Sequence, residues 1–151
     1  MLEGTWVGSG EGQYPTISSF RYNERVTFTR SPKGFLVYQQ STSNVETGAP
    51  MHSETGYVRF IEASSAVEFV IVQPTGVVEI HSGIPVFGDP DEVSYNLRPV
   101  SISLSPSAKA VTDIERSIEV HGVTLSYRIA MAAVGLPLQH HLAATLTRDA
   151  A

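Results

Sequence analysis

The chain has 151 residues, enough for one domain with one core, and its composition is that of an ordinary globular protein with 42% hydrophobic residues. A formal net charge of -5 with only two lysines, Lys33 and Lys109, leaves no basic cluster and excludes a nucleic-acid footprint. The absence of cysteine removes disulfides, thiolate nucleophiles, iron–sulfur clusters and zinc-finger spacing, and no apolar run approaches the roughly 18 residues of a membrane-spanning helix.

Residues 5–12 read as a strand in which Gly8, Gly10 and Gly12 recur at every second position. Such glycines clear one face, so that another backbone or a flat ligand can approach. This is not a dinucleotide fingerprint: Gln13 and then Pro15 follow where the third glycine and a helix would be needed. Residues 14–20 are expected to form a compact connection with a short helical turn. Residues 21–30 alternate β-branched and aromatic side chains, and Ser31-Pro32-Lys33-Gly34 is a turn that sends residues 35–43 back as a hairpin partner.

After a polar connection, residues 51–62 form a long strand in which Gly56 is expected at a bulge. Residues 66–73 are nearly apolar, Pro74-Thr75-Gly76 is a turn, and residues 77–81 pair back. Residues 82–92, rich in Gly, Pro and Asp, are the most loop-like part. Strands are then expected over 93–104, with a bulge at Pro99, over 111–120, over 123–133, and at the end of the chain. About ten evenly spaced strands joined by hairpins make an all-β, antiparallel up-and-down barrel over 1–151. A barrel of that size is expected to enclose a ligand cavity.

Without cysteine, imidazole is the main side chain able to hold a borderline metal. His140 and His141 are adjacent near the start of the last strand, so at most one of them can face the interior. Glu79 and His81 share a strand face, but two ligands do not make a metal site, and His121 lies in a turn.

Gly4-Thr5-Trp6-Val7-Gly8-Ser9-Gly10-Glu11-Gly12-Gln13-Tyr14-Pro15-Thr16-Ile17 resembles the opening motif of the nitrobindin family. The likeness continues through Pro50-Met51-His52-Ser53-Glu54-Thr55-Gly56-Tyr57, Pro74-Thr75-Gly76, Leu125-Ser126-Tyr127 and Met131-Ala132-Ala133-Val134-Gly135, and it ends at Pro137-Leu138 with His141-Leu142. It implies a barrel, related in shape to lipocalins and fatty-acid-binding proteins, that binds one haem b at one end, with iron held by His141 as the catalytic and metal-ligating residue. It also implies that Thr16, Met51, His52, Gln73 and Met131 associate with the haem or line its cavity. Ferric members of the family convert peroxynitrite to nitrate and ferrous members bind nitric oxide, so these small molecules are the expected partners. A homodimer is the matching expectation, while an N-terminus without a basic region followed by an apolar run makes a cytoplasmic protein the default.

Two features depart from the family pattern. The chain opens almost at the Gly-x-Trp motif, so closure of that end is expected to differ, and His140 offers a competing ligand. Parity does not settle the choice, because Leu142 and Leu146 share a side with His140, while Ala143 and Thr145 share one with His141. The resemblance favours His141, whose small neighbours leave room for a porphyrin. His52 either donates a hydrogen bond on the distal side or occupies a rim position. Two further readings are a carrier of fatty acid or another lipid, clamped by Arg59, Arg116 or Arg128, and a haem-based nitric oxide sensor without turnover.

Overall fold

The computed structural model describes residues 1–150, which form eleven strands and no helix. They are β1 (Gly4–Tyr14), β2 (Ile17–Arg30), β3 (Leu36–Asn44), β4 (Pro50–Ile61), β5 (Ala66–Val72), β6 (Val77–Gly83), β7 (Val86–Phe87), β8 (Glu92–Leu104), β9 (Val111–His121), β10 (Thr124–Ala133) and β11 (Gln139–Arg148). Every pairing is antiparallel. β1 joins β2 to β11, and pairing of β6 with β8 closes the ring, leaving the two-residue β7 as a flap on the start of β8. The expected up-and-down barrel is therefore present, with ten strands in its wall. No helix is long and apolar enough to cross a membrane.

Alternation decides what faces inward. On β2 Tyr22, Glu24, Val26 and Phe28 are buried while Arg21, Asn23 and Arg25 are exposed, and β5 buries Val67, Phe69 and Ile71 in the same way. The bulge expected at Pro99 is real: Ile80 faces Ser101 but His81 faces Pro99, so Val100 is the extra residue. Gly56 is different, because its register is unbroken. A Cβ there would collide with the carbonyl oxygen of Val70, so the glycine serves the close approach of β5 rather than a bulge.

Three further expectations are corrected. Residues 14–20 hold no helical turn: β1 runs to Tyr14 and β2 resumes at Ile17, so only Pro15 and Thr16 form the hairpin turn. The face cleared by the alternating glycines admits the backbone of β11 at Gly8, as expected, but at the other two positions it receives the protein's own rings rather than a flat ligand, with Tyr22 lying where a Gly10 side chain would be and Phe20 where one from Gly12 would be. The interior is filled as well. Trp6, Tyr22, Phe69 and a set of paired polar side chains occupy it, and a cavity of only about 40 Å³ remains. That volume suits one or a few water molecules, not a lipid chain.

Candidate functional site

Because strands alternate in direction, one end of the barrel gathers the Pro15–Thr16 turn, residues 45–49, 73–76, 105–110 and 134–138. All six residues singled out from the sequence lie at this end. Thr16 is exposed in its turn, Met51 and His52 open β4, Gln73 follows β5, Met131 lies near the end of β10, and His141 lies near the start of β11. Ile17, Val45, Met51, Val134 and Leu138 leave large apolar surfaces exposed around the same mouth. An apolar rim of this kind fits a flat hydrophobic ligand.

His141 owes its position to a break in register. Ile129 faces Leu142 and Ala130 faces His140, so β11 carries one residue more than β10 and His141 is the bulged residue. Leu142, Ala144 and Leu146 can then join the core packing while His141 is also half-buried, packed edge-on against buried Tyr14 with ring centroids 5.4 Å apart. His140 is exposed and borders grooves on the outer surface with Gln13, Arg21 and Arg98. The conflict of parity seen in the sequence dissolves, since inward leucines and a part-buried His141 are compatible across a bulge.

The ring of His141 is held as a free donor. Its Nδ1 lies 2.9 Å from the carbonyl oxygen of Gln13, which can only accept, so Nδ1 carries the hydrogen and the Nε2 lone pair is left available. Burial lowers its pKa from the ordinary value, outweighing the hydrogen bond to Gln13, and the charges of His140 and His52 act in the same direction as burial. Burial thus favours the neutral imidazole, the form that ligation requires. Tyr14 braces this corner: its hydroxyl accepts from the Ala133 N–H at 2.9 Å, tying β1 to the end of β10. One imidazole with a fixed tautomer beside an apolar rim is a donor set that fits haem. Among the described residues, no cluster of three or more His, Cys, Asp or Glu side chains is arranged to hold a bare metal ion.

Beneath the mouth lies a buried polar network that the sequence reading did not assemble. Arg116 donates from Nη2 and Nη1 to Glu54 at 2.8 and 3.1 Å, and from Nε and Nη2 to Glu79 at 2.9 Å each. His81 lies 2.7 Å from Glu79, and Gln73 donates to the same carboxylate. Tyr38 donates to Glu54 at 2.8 Å. A second group centres on Glu24, which accepts from Gln40 at 2.9 Å and from Tyr127 at 2.8 Å, with the Tyr22 hydroxyl 2.8 Å from that of Tyr127. Burial drives the Glu24 carboxyl up to about 7, because no cation is bonded to it. For Glu54 and Glu79 burial pushes the same way, but the Arg116 charge prevails and both carboxyls are held below the usual range.

A family model for the THAP4-like, heme-binding beta-barrel domain matches residues 1–148. The chain belongs to this family. As a heme-binding barrel domain it is 46% identical over 147 residues to a Mycobacterium marinum protein named peroxynitrite isomerase 2, covering 97% of this chain and 90% of that one. It is 48% identical over 150 residues to a protein named peroxynitrite isomerase 1 from Mycobacterium tuberculosis, covering 98% and 91%. It is 46% identical over 148 residues to the peroxynitrite isomerase of Nocardia farcinica, covering 98% and 87%. The crystal structure of Rv2717c from M. tuberculosis superposes with a TM-score of 0.93 at 45% identity, covering 98% of this chain and 92% of that one. Within this heme-binding domain part of the signal for the interior network was present in the sequence: Glu24 and Arg116 each fall on the inward parity of a strand of otherwise apolar inward residues, while Glu54 and Glu79 share their inward faces with His52 and His81.

Proposed function

We propose that this chain binds one haem b at the mouth through Nε2 of His141 and isomerises peroxynitrite to nitrate in the ferric state, as the names of its relatives suggest. In the ferrous state it binds nitric oxide. The observation that carries the reading is the His141 ring: part-buried, with Nδ1 committed to Gln13 and Nε2 free beside an apolar rim. Thr16, Met51, His52, Gln73 and Met131 would surround the group. Bound haem supplies an iron atom with one coordination position open to a small oxidant or to nitric oxide. The protein's share is to hold the tautomer, exclude bulk water with the rim and leave a path to the open side.

The lipid-carrier reading has little support here. The interior cavity of about 40 Å³ does not admit an acyl chain, and Arg116, the inward cation, is already bonded to two carboxylates. The haem reading also implies small-molecule partners only, a cytoplasmic location and a homodimeric assembly. The test is to load the chain with haemin and follow peroxynitrite decay and nitrate yield. A sharp Soret band with nitrate formed faster than with free haemin supports the activity. A Soret band with no acceleration leaves a haem-based sensor of nitric oxide.

A further inference from the structure

Besides Gln73, which donates to Glu79, the interior network reaches the mouth through one pair, His52 and Glu54. They lie two residues apart on β4, and Nε2 of His52 is 3.5 Å from Oε1 of Glu54. β4 is four strands from β11 one way round the ten-strand ring and six the other, so His52 stands nearly opposite His141, whose pKa its charge influences. The backbone at His52 is fixed by Thr42, whose Oγ1 accepts from its N–H at 3.0 Å and donates to its carbonyl at 3.3 Å.

Glu54 is buried and cannot turn away. Its Oε1 takes Nη2 of Arg116 at 2.8 Å, and its Oε2 takes Nη1 at 3.1 Å and the Tyr38 hydroxyl at 2.8 Å. Arg116 in turn is braced by Glu79. An ionised carboxylate only accepts hydrogen bonds, so the imidazole nitrogen facing it carries a hydrogen. In neutral His52 the lone pair is then on Nδ1, which has no partner in the protein.

We propose that His52 is the proton acceptor for substrate at the mouth and that Glu54 is its positioning residue, selecting the tautomer that turns the Nδ1 lone pair to the ligand. The proposal rests on the activity inferred in the preceding subsection. Substrate arriving as peroxynitrous acid passes its O–H proton to Nδ1, giving the peroxynitrite anion and an imidazolium whose other proton stays on Nε2 against Glu54. After nitrate departs, the imidazolium returns its proton to water, so protons and charge balance over the cycle. The charged and titratable groups around His52 are Glu54, Arg116, Glu24, Tyr38, Tyr127 and Arg128, which line the same cavity, with His141 across the mouth.

The test begins with the ring itself. Nitrogen-15 spectra of the full chain, with His52→Leu to assign the signal, are expected to show the Nε2–H tautomer of His52. Glu54→Gln, which can offer an amide N–H in place of an oxygen, is expected to move it toward Nδ1–H. An Nδ1–H tautomer in the parent overturns the proposal, and this holds even if Glu54→Gln fails to fold. So does a tautomer unchanged in a folded Glu54→Gln. In haem-loaded protein, His52→Leu is expected to slow peroxynitrite decay by ~100-fold where the acid form predominates and to approach the parent rate at alkaline pH. Glu54→Gln is expected to follow the same profile with a smaller loss. A loss that is equal at every pH overturns the proton-acceptor role. Failure of the haem reading itself would appear separately, as a parent protein with no Soret band.

Discussion

The two ends of the barrel share one pattern of alternation and finish in opposite ways. At the far end the chain termini fold over the opening. Trp6 is fully buried and donates from Nε1 to the carbonyl of Leu2 at 2.8 Å, and the Arg148 guanidinium stacks 4.1 Å from the indole ring while donating to the Met1 carbonyl at 2.7 Å. Leu2 plugs what remains, so that end is closed by the core itself. At the mouth only hairpin turns and loops meet, and Nε2 of His141 has no partner. A barrel end is sealed by what crosses it, and an end crossed by nothing is available to a ligand.

That contrast can be broken from either side. The largest effect is expected from His141→Ala, which should abolish the Soret band of the haemin-loaded protein. Because His141 is only part-buried, the same variant should unfold within about 1 kcal/mol of the parent in urea. Trp6→Ala should do the reverse, costing ~3–5 kcal/mol of stability through the loss of a fully buried indole while the folded fraction still binds haemin. Loss of haem binding in folded Trp6→Ala, or a large destabilisation from His141→Ala, would show that the two ends are not independent.

Much of this division was legible in the sequence, and the illegible part has a physical cause. Alternation on β2 and β5 and the proline in β8 fixed strands and one bulge, and the Tyr-Pro-Thr-Ile and His-Leu segments brought the mouth residues to one end. Two features resisted. The bulge at His141 depends on the residue count of β11 against β10, which no single strand records. The fullness of the interior depends on rings from several strands meeting in one space, so strand number alone suggested a cavity that Trp6, Tyr22 and Phe69 occupy. The inward charges were visible one by one, but their pairing across β4, β6 and β9 is tertiary.

Glu24 sharpens the comparison at a finer scale, since it is the buried carboxylate of the interior bonded to no cation. Burial raises its carboxyl from 4.5 to about 7. A folded pKa above the unfolded one means that the native state binds the extra proton between those values, so stability falls as pH rises from about 4.5 to about 7. The shift corresponds to roughly 3 kcal/mol at most, before relaxation and the loss of its own hydrogen bonds. Glu24→Gln should therefore flatten the decline in melting temperature between pH 5 and 8. Glu54 and Glu79 act with the opposite sign: their carboxyls are held low, so their contribution is present above the ordinary carboxylate range and is lost on acidification below it. If Glu24→Gln keeps the parental slope, the pH response arises elsewhere.

The smallest expected effect falls on the nearest neighbour. His140 precedes His141, yet it is exposed on the outside of the barrel, where its ring borders Gln13 and Arg21. His140→Ala should change stability by no more than about 0.5 kcal/mol and leave the Soret band in place. The one influence expected on the site is electrostatic: the charge of His140 helps lower the pKa of His141, after burial. Removing it should let His141 protonate at slightly higher pH, so that acid-induced loss of haem begins marginally earlier than in the parent. An acid titration of the Soret band in parent and His140→Ala measures this directly. A band lost at neutral pH in His140→Ala would instead mean that the bulge delivers the wrong imidazole to the mouth.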